Sequence, residues 1–172
     1  MNESTPAETW LRMVLQRLSS DGFSISHNVS FEGQEFMAVA HRSRFELTKF
    51  GNSETFFVFG SLQTCDADSI RGFSSLAFKF AKRSKSFPLP CGLFEFVCCF
   101  AVCLADALDE STADSVRRVM PRKHWAAAEI PVVFDCDQGR VCFLERTPLW
   151  GAAYYKGFRN QIAKYLAVSQ GA

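Results

Sequence analysis

No stretch of this chain is apolar for the roughly 20 residues that a membrane-spanning helix needs. The longest, Phe94 to Ala105, is broken by Glu95. An excess of one charge is also missing. The 172 residues carry 19 basic and 18 acidic side chains, a net charge of +1. That balance supplies no general field for polyanions or anionic lipid, so neither nucleic acid nor a membrane is an expected partner. The polar opening, Met1 to Glu8, lacks the apolar segment of a secretory leader. The cysteines are seven, an odd number with no leader beside them. The expectation is a cytoplasmic protein with free thiols.

The motifs that name a chemistry are absent as well. There is no C-x-x-C, H-x-x-x-H or H-E-x-x-H, and Cys98, Cys99 and Cys103 would be split between two faces of a strand. No metal and no cofactor is therefore expected. There is no G-x-S-x-G elbow, and the scattered glycines match no phosphate-binding loop.

What is present is a run of well-marked elements. Thr5-Pro6-Ala7-Glu8 starts a helix with an N-cap, a proline at N1 and a capping-box glutamate, and Trp10, Leu11, Val14, Leu15 and Leu18 form its stripe. Alternation then predicts a strand with Phe23, Ile25, His27, Val29 and Phe31 on one face, followed by strands over 35–41, 44–50 and 54–60 as an antiparallel meander. A second helix capped by Asp66 or Asp68 buries Ile70, Phe73, Ala77 and Phe80. The segment 93–104 is apolar on both faces, as a covered central strand would be. A helix from Asp109 or Ser111 to about Met120, a hairpin around Asp137-Gln138-Gly139, and a last helix after Thr147-Pro148 with Tyr154, Phe158, Ile162 and Tyr165 on its apolar side complete the chain. The order α-β-β-β-β-α-β-α-β-β-α predicts a single α+β domain over 1–172, a mixed and mainly antiparallel sheet with helices packed on it. The 18 phenylalanines read first as core volume.

The opening order of elements is similar to that of metal-dependent nucleases of the restriction-endonuclease-like fold. The resemblance is one of topology only. Those enzymes place an acidic residue and a D/E-x-K motif on adjacent strands to hold Mg²⁺, and no such tripeptide occurs here. Glu46 and Lys49 are one residue too far apart and would lie on opposite strand faces.

Several residues are weighed as sites. With a turn centred on Gly33, His27 and His41 become diagonal neighbours on one face, with no carboxylate clearly beside them. Hydrogen-bonded core histidines are the plainer reading. Cys65, just before the second helix, is an ordinary strand-to-helix residue or a thiol activated by the helix start. Arg117-Arg118 followed by Arg122-Lys123-His124-Trp125 is a solvated helix end or an anion-binding run. The small and aromatic residues from Trp150 to Phe158 suit close packing on the sheet or a planar ligand.

Two classes of function follow. One is a non-catalytic interaction or oligomerisation module, which the aromatics and the missing catalytic motifs favour, and which includes self-association. The other is an enzyme or small-ligand domain with a pocket near 117–125 and 148–158. In that pocket Arg122 would form a fork on a carboxylate or phosphate, His124 would donate a hydrogen bond, and Trp125, Trp150 and Tyr155 would form the walls.

Overall fold

The computed structural model describes residues 5–46, 51–86, 95–118, 122, 124–146 and 152–168. Among these residues four helices and six strands follow one another as α1 (Pro6–Ser20), β1 (Ser24–Phe31), β2 (Gln34–Glu46), β3 (Gly51–Ser61), α2 (Ala67–Arg83), β4 (Glu95–Ala105), α3 (Glu110–Arg118), β5 (Ala127–Asp135), β6 (Arg140–Phe143) and α4 (Ala152–Leu166). The fold is α+β: one sheet, ordered β1-β2-β3-β4-β5-β6, with helices on both faces. The pairs β1–β2, β2–β3 and β5–β6 are antiparallel, and β3–β4 and β4–β5 are parallel. No helix among the described residues is long and apolar enough to cross a membrane.

The parallel pairs explain the layering. Two crossovers of one hand that step the same way across a sheet put their helices on the same face. Accordingly α2 and α3 bury Ile70, Phe73, Ala77 and Val116 against Phe56, Val58, Val97 and Cys99. The opposite face is left to α1 and α4, whose Trp10, Leu18, Phe158 and Tyr165 pack on Phe57, Phe100, Val102 and Phe134. β4 is thus covered twice, and 97–105 is buried throughout. Gly60 of β3 lies under α2, where an added Cβ would come within 2.4 Å of the Phe73 ring.

Local signals explain the elements. Thr5 and Glu8 form the capping box, and the predicted α1 stripe is the buried one. Asp66 caps α2 by accepting from the Asp68 and Ser69 amides. α1 and α4 are clasped along their sides. The Trp10 indole N–H donates to the Leu166 carbonyl at 3.3 Å, Arg17 donates to the carbonyls of Tyr165 and Ala167, and the Tyr165 hydroxyl donates to Asp21 at 2.7 Å.

The structure differs from the sequence expectations in three places. The two strands expected over 35–41 and 44–50 are one strand through Glu46, because nothing at Arg42-Ser43 turns the chain; residues 47–50 lie outside the described residues. The β1–β2 turn is the two-residue Glu32-Gly33, with φ of 49° and 83°, as a type I′ turn requires. It pairs His27 with Ala38 and Ser24 with His41, one residue away from the expected register. Such a slip sends side chains to the other face, so His27 is exposed on the α1 side while His41 lies on the α2 side. Finally, Asn28 sits at φ 52° and interrupts the ladder. Alternation resets there: Ile25 packs with the α1 core, but Val29 and Phe31 pack with the α2 core.

Candidate functional site

The five residues proposed from sequence do not share one recess. Arg122 is exposed and borders a crevice of about 60 Å³ between α2, α3 and β5, along with Arg71, Ser75 and Glu129. His124 joins that neighbourhood: its Nε2 lies 2.8 Å from Glu129 Oε2, and its ring lies 4.1 Å from that of Phe78. Trp125 follows at a turn and is 80% exposed. Tyr155 belongs to α4 on the opposite face, packed edge-on against Phe158 at 5.5 Å, with burial raising its phenol pKa. Trp150 lies outside the described residues. Periodicity places an aromatic on a helix face but does not say which side of the sheet the helix covers. That is why Arg122 and Tyr155 are separated by the sheet. The crevice has room for a few waters.

The α2 face carries a row of buried carboxylates near the starts of the parallel strands. Glu54 on β3 is fully buried and bonded to His41 Nε2, and the Ser86 amide donates to its other oxygen at 3.3 Å. Glu95 opens β4 and pairs with Lys85, leaving its Oε1 buried without a donor. Glu129 on β5 has His124 and, at 3.4 Å, the Ser75 hydroxyl. Each carboxylate has a cationic or hydroxyl partner inside the protein; His41 stacks on Phe56, and the His124 ring lies tilted against Phe78. His41 therefore has the carboxylate neighbour that was not visible in the sequence. Among the described residues, no three His, Cys, Asp or Glu side chains are grouped to hold a metal ion. Cys65 is not an activated thiol. Burial first, and the neighbouring Asp66 second, push its pKa up to about 11.

The larger cavity lies on the other face and was not foreseen. Its floor follows from register. Arg42 and Arg44 are two apart on β2 and so point the same way. Directly across, Arg42 pairs with Thr55 and Arg44 with Ser53 on β3; beyond them Thr55 pairs with Cys98 and Ser53 with Phe96 on β4. Paired residues project to one side, so the floor has a guanidinium row, a hydroxyl row and an apolar row. Tyr154, Gly157, Phe158 and Gln161 of α4 close it from above, around a cavity of about 460 Å³. Tyr154 stacks with Phe96, ring centres 6.0 Å apart. Arg42 is held in place: Nη1 donates to the Asp21 carbonyl at 2.9 Å, and its guanidinium lies 4.1 Å over the Phe23 ring. Arg44 is exposed, and no carboxylate among the described residues pairs with it. Gln161 Oε1 is buried without a donor. The sequence signal for this site was the i, i+2 spacing of Arg42 and Arg44. It was hidden because a strand break was expected between His41 and Arg44.

No family model, curated protein or solved structure matches this chain.

Proposed function

We propose that the protein is a ligand-binding domain whose recess between β2, β3, β4 and α4 takes a small anion attached to an apolar ring. The observation that carries this reading is the Arg42–Arg44 row facing an aromatic roof across a cavity of about 460 Å³. Cavities of roughly 300–1,000 Å³, mostly apolar with a few placed polar groups, are the usual form of small-molecule sites. Guanidinium groups suit planar carboxylate or phosphate oxygens. Arg44 is the residue to test, because Arg42 also fastens Asp21 and Phe23. A thermal-shift screen of phosphates and carboxylates, followed by calorimetry, should find an anion that binds at least about tenfold more weakly to Arg44→Ala. A screen with no hit, or a hit unaffected by Arg44→Ala, overturns the reading.

A second reading, an interaction or self-association module, is favoured by Trp125, whose side chain is left open to solvent. Large exposed aromatics are the usual anchors of protein interfaces. Sedimentation should then show a dimer or larger species that Trp125→Ser disperses; a monomer at all concentrations removes this reading. A reducing, cytoplasmic setting remains part of the proposal, supported by six free cysteines among the described residues.

A further inference from the structure

Resting on the recess as an anion site, we infer that its ligand is an aromatic 2-hydroxy acid, with the carboxylate on Arg44, the hydroxyl on Thr55 and Ser53, and the ring against Phe96, Tyr154 and Phe158. The order of the floor carries this. Guanidinium groups lie on β2, hydroxyls on β3 and apolar surface on β4, each row one strand spacing from the next. The roof marks the same apolar end: Tyr154 stacks with Phe96, and Phe158 stands edge-on to Phe100 of the same strand. Two spacings span about 10 Å. A carboxylate and a phenyl ring joined by a short carbon chain cover about that length, and the chain then lies over the hydroxyl row.

Thr55 defines the middle group. The residue is only 7% exposed, yet its hydroxyl has no hydrogen-bond partner among the described residues. The oxygen is not sealed in the interior, and the recess is the described cavity that Thr55 borders. Ser53, in the same row, is half-buried and its hydroxyl also lacks a partner among the described residues. Buried polar groups are ordinarily hydrogen-bonded, so these two are matched from the recess, by solvent in the free protein and by the ligand in the complex. Both side chains donate and accept, as an alcohol does, whereas a keto oxygen only accepts. Arg42 narrows the anion. Its Nη1 is taken by the Asp21 carbonyl and its face by the Phe23 ring. That leaves Arg44, which has no carboxylate partner among the described residues, as the free fork. One fork matches the two oxygens of a carboxylate. A phosphate, with about twice the charge and a third oxygen, calls for more donors.

The experiment is calorimetry of the full chain with both enantiomers of 3-phenyllactate, and with 3-phenylpropionate, lactate and phenyl phosphate as controls. The tighter enantiomer should bind about fivefold more tightly than 3-phenylpropionate, which lacks only the hydroxyl. It should also exceed lactate, which lacks the ring, and phenyl phosphate. Arg44→Ala should weaken both aromatic acids alike, by about tenfold. Thr55→Val, which keeps the branched shape, and Ser53→Ala should each weaken 3-phenyllactate about fivefold and leave 3-phenylpropionate unchanged. Because the Thr55 hydroxyl has no partner in the protein to lose, the Thr55→Val apoprotein should melt no lower than the parent. Tyr154→Ala should weaken both aromatic acids about fivefold and leave lactate unchanged. If 3-phenylpropionate binds as tightly as 3-phenyllactate, or if Thr55→Val and Ser53→Ala are both silent, the hydroxy-acid assignment is overturned and the anion site stands. If another anion binds through Arg44 while 3-phenyllactate does not, the hydroxy-acid assignment alone falls. If no anion binds, both fall.

Discussion

The two faces of the sheet treat charge at the same end of the molecule in opposite ways. On the α2 face, Glu54, Glu95 and Glu129 are buried and matched by His41, Lys85 and His124. On the α1–α4 face, Arg42 and Arg44 border an open recess, and only Arg42 is tied to the fold. A charge answered from within belongs to the architecture, and removing its partner leaves an uncompensated ion in a poor solvent. A charge left unanswered beside a cavity costs the fold little and is available to a ligand. The contrast separates residues whose loss should unfold the protein from those whose loss should only empty it.

The most damaging test ignores the contrast and attacks what both faces share. Val97 points to the α2 layer and Phe100 to the α1–α4 layer, and both are fully buried. Val97→Asp and Phe100→Asp should each cost more than about 5 kcal/mol and yield insoluble or unfolded protein. A folded, equally stable variant at one position would show that its face is open. The contrast itself is tested by His41→Ala against Arg44→Ala in urea unfolding. His41→Ala strands a carboxylate with no exposure and should cost about 3 kcal/mol. Arg44→Ala should stay within about 0.5 kcal/mol of the parent. Equal losses would erase the distinction between the faces.

Smaller effects sharpen the picture. Asp109, just before α3, has a carboxyl pKa lowered from 3.8 to about 2, first by the Ser111 hydroxyl, then by the Thr112 hydroxyl and amide. A carboxylate depressed in the folded state adds stability above its unfolded pKa and loses it as pH falls through the folded one. Melting temperature should therefore fall between about pH 4 and pH 2 more steeply in the parent than in Asp109→Asn. Identical slopes would mean that this cap does not contribute. The smallest effect concerns Cys65. With its pKa near 11, it should be alkylated at pH 7.5 more slowly than a free cysteine of ordinary pKa, by mass spectrometry, and Cys65→Ala should change no binding measurement.

The α1 stripe, the Asp66 cap, the doubly covered strand β4 and the Asp137–Gly139 hairpin were all legible, because each is written in neighbouring residues. The unread features depend on pairs distant in sequence. The Glu32-Gly33 turn admits two registers one residue apart, and only pairing with the rest of the sheet selects between them. The same limit hid both sites. His41 meets Glu54 through the β2–β3 register, and the arginine row becomes visible only once β2 is known to continue past His41. Arg122, His124, Trp125 and Tyr155 were grouped by chemical type, whereas the crossovers assign their elements to opposite layers.

Strand order equals chain order in this sheet, so each strand needs only its predecessor as a template. The sheet can therefore grow step by step: short loops close the antiparallel pairs, and the crossovers through α2 and α3 close the parallel ones at a larger entropic cost. The α1–α4 clasp is different. Trp10 and Arg17 wait for carbonyls at Leu166, Tyr165 and Ala167. One face of a growing sheet is thus covered only in part, by α1, until α4 has been made, with Phe57 and Phe100 awaiting Tyr165 and Phe158. A chain stopped before α4 should carry a formed but sticky sheet, recognisable by dye binding and by capture on holdase chaperones. For this molecule, completing the last helix is the step that separates an aggregation-prone intermediate from the finished domain.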